Sequence, residues 1–183
     1  QLSKLESEQA ALVRAIRASK RIDASQLEPL SAFISLMRYR VPSFADHVEK
    51  SLRSVVLDSF KIMYQAGKFG TPPPELQELF DSKGIDEALQ VSISNWKILS
   101  HMFEVGFAPE SIGLLAEYNY HIYSAEEGSF FVTSDNPVAL YHPNYDKIRP
   151  YGVGLAMKGV EITFPLTSDT LIRAGHNLEP GAS

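Results

Sequence analysis

The sequence predicts an α+β fold in which a helical N-terminal two-thirds packs on a small antiparallel or mixed C-terminal sheet. Three observations carry this. Apolar residues through the first 117 positions recur at spacings of three and four, the period of a helix. From Tyr118 onward the recurrence drops toward two, and the composition turns aromatic and β-branched. Helical segments therefore precede strands instead of alternating with them. No flexible tract separates the halves. Residues 1–183 are expected to form a single domain or a fragment of one, with a helical part at 1–117, a sheet part at 118–175 and a frayed tail at 176–183.

Leu2, Leu5, Leu12, Val13 and Ile16 mark one face of a first helix. A second covers 25–39, with Leu27, Leu30, Phe33, Ile34 and Met37 on its buried side, and Pro42 ends it. Ser43 is expected to cap a third helix, with Asp46 in its first turn. Phe44, Val48, Leu52, Val55, Val56, Phe60 and Met63 give that helix the clearest stripe in the chain. Gly67 and Gly70 close it, and TPPPE forms a stiff connector to a short helix at 75–80. A long helix is expected at 86–103, with Leu89, Ile93, Trp96, Leu99 or Ser100, and Phe103 on its apolar face and Trp96 in the core. A further helical turn follows at 109–116.

YNYHIY and SFFVTS read as strands separated by the polar turn SAEEG. VALY, GVEITFPL and TLIRA supply three more, and HPNYDKIRPYGVG forms a loop between them. Thr133-Ser-Asp135 after FFV is echoed by Thr167-Ser-Asp169 after FPL, which suggests two similar strand-ending turns.

Hydrophobic content of 44% and charged content of 21% are ordinary for a soluble globular protein. Seventeen basic against 22 acidic residues leave a net charge of −5, which disfavours a general nucleic-acid binder. The absence of cysteine excludes a disulfide scaffold, a thiolate nucleophile and cysteine-ligated metal, and suits a reducing compartment. No apolar run approaches the ~20 residues of a membrane span, and the first residues lack the pattern of a signal peptide. A cytoplasmic location is the expectation.

The stretch FFVTSDNPVAL holds the most suggestive residues. Aspartate and asparagine can hold a turn through their side chains, and proline removes a ladder donor. Thr133–Pro137 is therefore either a sharp corner held by Asp135 or a site presenting Asp135 and Asn136 at a strand end. His47, His101, His121, His142 and His176 form no close ligand pair. Ser134 lacks the GxSxG context of a hydrolase nucleophile. Asp135 and Glu161, with Glu126 or Glu127, are weak candidates for a metal site. Thr163 stands where a restriction-type nuclease would carry lysine, and Glu161 reads more simply as an exposed strand residue. In MRYRVP, Arg38 and Arg40 either complement a helix dipole or grip a carboxylate, internal or from a ligand.

Taken together, SAFISLMRYRVPSF, FFVTSDNPVAL and GVEITFPLTSD resemble the uncharacterised domain-of-unknown-function family 4238. The resemblance runs over 31–170, and its specific part is Thr133–Val138. Val41 stands for the family's threonine and Thr167 for its usual serine. The family's His-Tyr-x-Pro-type opening is missing, which suggests a fragment. The resemblance implies no established activity, substrate or cofactor. It does imply that Arg40, Asp135, Asn136 and Pro165 belong to one constellation.

Two functional expectations follow. One is an intracellular, hydrolase-like enzyme with a polar site around Thr133–Pro137 and Asp135, Asn136 and Arg40 as candidate catalytic residues. The other is a non-catalytic domain binding a ligand or protein, in which the same corner is structural. In either, Asp135 is expected to meet an arginine from the helical half, Arg40 first and Arg38 otherwise.

Overall fold

The computed structural model describes residues 2–148 and 153–178. Among them the chain forms α1 (Leu2–Ser19), α2 (Ala24–Tyr39), α3 (Pro42–Gln65), α4 (Pro74–Lys83), α5 (Ile85–Ala88), α6 (Asn95–Gly106), α7 (Pro109–Ala116), β1 (Asn119–Ser124), β2 (Ala139–Tyr141), α8 (Tyr145–Ile148), β3 (Glu161–Thr167) and β4 (Thr170–Gly175). The change of period near residue 117 is the change from α7 to β1, and the fold is α+β as expected. Residues 149–152 of the expected loop and 179–183 of the expected tail lie outside the described residues, as does the Leu2 side chain.

The strands make one antiparallel sheet in the order β1-β4-β3-β2. Ile162 and Phe164 of β3, and Thr170, Ile172 and Ala174 of β4, face inward. Glu161, Thr163, Leu171 and Arg173 alternate with them on the other face. Against the inner face pack Ile16 of α1, Leu30 and Ile34 of α2, and Leu115 of α7, all fully buried. Phe33 meets Phe164 edge-on at 5.5 Å between centroids. Pro165 is tolerated in β3 because β2 pairs only as far as Thr163, and a bulge follows between Pro165 and Thr167.

The chain divides into two compact units, and the division does not follow the change from helix to strand. One unit comprises Gln1–Val41 and Phe103–Ser183; the other is Pro42–Met102. The first holds the sheet core. The second is built on α3, with Val48, Ile98 and Met102 buried together and Phe60, Tyr64, Phe69 and Phe80 in an aromatic cluster.

Several local expectations are corrected. Pro42 opens α3 as its first residue, where a missing N–H costs nothing, so Ser43 lies inside the helix and is not its cap. Of the α3 stripe only Val48 is buried, while Val55, Val56 and Met63 are exposed. The expected long helix at 86–103 is interrupted between Ala88 and Asn95. Its Val91-Ser-Ile-Ser94 run alternates β-branched residues with serines that compete for backbone groups. The Ser94 carbonyl then accepts the first bonds of α6, from Lys97 and Ile98. Restarting there turns Trp96 outward, 76% exposed, and not into the core. SFFVTS is not a strand either. Only the Phe131 N–H reaches the neighbouring turn, at the Ser168 carbonyl, and Phe130 and Val132 are exposed.

Candidate functional site

At the Thr133–Pro137 corner the turn is held by serine. The Ser134 hydroxyl accepts the Asn136 N–H and donates to the Asn136 carbonyl, both at 3.1 Å. Asp135 was expected to do this work. Instead its side chain and that of Asn136 are exposed and make no hydrogen bond or ion pair among the described residues. The corner therefore presents a carboxylate and an amide side by side.

Neither arginine meets Asp135. Arg40 caps the C-terminus of α2 through its backbone N–H, bonded to the Leu36 carbonyl at 2.9 Å, and its side chain is exposed. The arginine–aspartate tie between helix and sheet is Arg17–Asp169, in the second copy of the Thr-Ser-Asp pattern. Arg17 Nε lies 3.0 and 2.9 Å from the two carboxylate oxygens of Asp169, and Nη2 donates to Oδ2. Thr167 and Thr170 each donate a hydroxyl to Oδ1, at 2.6 and 2.8 Å. These donors, Arg17 foremost, hold the Asp169 carboxyl well below the usual carboxylate range. Lys20 completes the cluster, donating to Thr170 Oγ1 at 2.9 Å. It sits at the end of α1 in a left-handed conformation, φ 53°, with its N–H on the Ile16 carbonyl. A carboxylate with this many donors is a structural staple and a poor base.

On the outer sheet face Glu161 is bound by Arg173, whose Nε and Nη2 reach Oε2 at 2.9 and 2.7 Å. The register sets His121 of β1 beside Arg173. Among the described residues no group of three or more His, Asp or Glu could hold a metal ion. His142 is buried between strand and loop. It accepts the Asn144 N–H at Nδ1, so its proton sits on Nε2 and is given to the Lys158 carbonyl at 2.9 Å.

The most unusual polar groups lie on α2, where sequence reasoning had looked only at the helix end. Ser31, Ser35 and Arg38 follow at i, i+4 and i+7, one helix face. Ser31 and Ser35 are fully buried. Tyr120 gives its hydroxyl proton to the Leu115 carbonyl at 2.8 Å, which leaves Ser31 as donor in the 3.4 Å contact between the two hydroxyls. Ser35 Oγ and Arg38 Nε are buried and have no hydrogen-bond partner among the described residues. Tyr118 bonds the Leu155 carbonyl at 2.6 Å and packs edge-on to His176, 4.3 Å between ring centroids. Burial pushes both tyrosines up to about 12; the Arg38 charge opposes this at Tyr118. A polar residue every turn on an otherwise apolar face was the signal available in the sequence.

No helix among the described residues is long and apolar enough to cross a membrane. Neither a curated protein nor a solved structure matches the chain. One family model does, over residues 1–181, and the chain belongs to that family, described as Protein of unknown function (DUF4238).

Proposed function

We propose that the chain is a non-catalytic binding domain whose Thr133–Pro137 corner offers Asp135 and Asn136 to a ligand or protein partner. The observation that carries this is the division of labour at the corner: Ser134 holds the turn, and the two following side chains are left unused. Asp135 has no neighbouring histidine, carboxylate or nucleophile in hydrogen bond with it among the described residues, which favours recognition over general acid–base work. Nucleic acid is disfavoured as partner by the net charge of −5. The cysteine-free composition suits the cytoplasm, which fractionation of cells expressing the protein would check.

A hydrolase-like enzyme is the second reading, favoured by a carboxylate free to take a metal ion. Thermal unfolding with magnesium or manganese separates the two. The binding reading expects no shift with either ion, and a magnesium- or manganese-dependent rise abolished in Asp135→Ala would replace it with the enzyme reading.

A further inference from the structure

Arg17 and Arg173 each lie against a carboxylate, and other arginines without one, such as Arg40, are exposed. Arg38 fits neither pattern. Its Nε–H is buried and meets no acceptor, and no ion pair reaches it among the described residues. Arg38 as a whole is half-buried; it is the Nε–H that is shut away from water, on a guanidinium that keeps its charge at any pH a protein survives. The Tyr39 ring, 5.5 Å from the guanidinium carbon, offers a π face and carries no negative charge at neutral pH to balance the guanidinium. Tyr118 remains a neutral phenol at neutral pH and has given its proton to Leu155, so it supplies no countercharge. Beside Arg38 on the same helix face is the fully buried Ser35 hydroxyl, also without a partner. A buried cationic donor and a buried neutral one, both unsatisfied and one turn apart, are complementary to an oxyanion.

We propose that Arg38 is the anchor of a binding site for a small carboxylate- or phosphate-bearing ligand. Two of the ligand's oxygens lie along the edge formed by Nε–H and the adjacent terminal N–H, and Ser35 donates its hydroxyl from the next turn. This site shares no hydrogen bond or ion pair with the Asp135–Asn136 corner among the described residues and is opposite in charge, so either can fail without the other. Arg40, exposed at the helix end, is the internal control.

The test uses the intact chain with sodium acetate and sodium phosphate as probes, against sodium chloride at matched ionic strength. Thermal stability and the NMR resonance of the Arg38 Nε–H are followed. The expected result is a saturable stabilisation and a downfield shift of that resonance with acetate, with phosphate, or with both; the responding anion identifies the ligand group. Arg38→Met weakens the response about tenfold to a hundredfold, the range for a hydrogen bond to a charged group. Arg38→Lys weakens it too, because an ammonium has no side-by-side pair of N–H groups, while Arg40→Met leaves it unchanged. An Nε–H resonance unmoved by both anions in the wild-type protein overturns the proposal, even if the variants fail to fold. So does a response that Arg40→Met reduces as much as Arg38→Met.

Discussion

Replacing Ser35 by alanine should make this protein more stable, although it deletes a polar group from the middle of a helix. The Ser35 hydroxyl is fully buried and has no partner. A buried polar group left unsatisfied costs about 1–3 kcal/mol, because it has given up water for nothing. Alanine also has the better helix propensity, by roughly 0.5 kcal/mol. Against these stands the loss of one oxygen's worth of packing, a void well below a methyl group. The net expectation is a gain of about 1–2 kcal/mol, which for a chain of this size corresponds to a rise in Tm of about 2–8 °C. Ser31, one turn earlier and equally buried, is the contrast. Its hydroxyl donates to Tyr120, and losing a bond as long as 3.4 Å is offset by propensity, so Ser31→Ala should be neutral or destabilising by less than about 1 kcal/mol. Urea unfolding followed by far-UV circular dichroism, without added carboxylate or phosphate, measures both. A Ser35→Ala protein less stable than wild type by 1 kcal/mol or more (about the worth of one hydrogen bond) would mean that the hydroxyl has a partner, and the oxyanion site would lose its second donor.

Two further expectations concern pH. The Asp169 carboxyl is held down by Arg17, Thr167 and Thr170, so the stability it contributes is fully present above the ordinary aspartate value of 3.8 and is lost as pH falls below it. Urea midpoints across the acid range should therefore fall less steeply for Asp169→Asn than for wild type, and equal slopes would contradict the staple. Tyr118 and Tyr120 are raised from 10.0 to about 12 by burial, so their contribution is full below 10.0 and is lost as pH rises from there through about 12. Phenolate absorbance of the native protein should show Tyr118 and Tyr120 titrating late, with one late tyrosine lost in Tyr118→Phe and one in Tyr120→Phe; no late tyrosine lost in either variant would refute the burial.

The fold class was legible because period survives tertiary context: Ile162, Phe164, Ile172 and Ala174 alternate in sequence and do so in the sheet. What failed was continuity. Leu89, Ile93 and Trp96 fit a helical spacing, yet the run Val91–Ser94 resists helix, and a pattern read across such a break places Trp96 on the wrong side. SFFVTS has every strand propensity, but it pairs with no strand: its one bond to the sheet end is from the Phe131 N–H to the Ser168 carbonyl in the β3–β4 turn. The expected pairing of Asp135 with Arg40 or Arg38 did not form. An arginine from the helices does grip a strand-end aspartate, but the partners are set by where α1 ends relative to the β3–β4 turn, which no local pattern encodes. Arg38 was noticed for its place near a helix end, whereas its meaning lies in the spacing from Ser31 and Ser35.

The central claim is that Asp169 binds the helices and Asp135 is left free for recognition, and a pair of double-mutant cycles tests it most directly. Arg17→Met and Asp169→Asn, singly and together, should show non-additive losses of stability, since removing either partner already breaks the pair. Arg40→Met and Asp135→Asn should be additive, with Asp135→Asn alone close to wild type. Coupling between Arg40 and Asp135, with additivity between Arg17 and Asp169, would contradict the account and make Asp135 the structural residue.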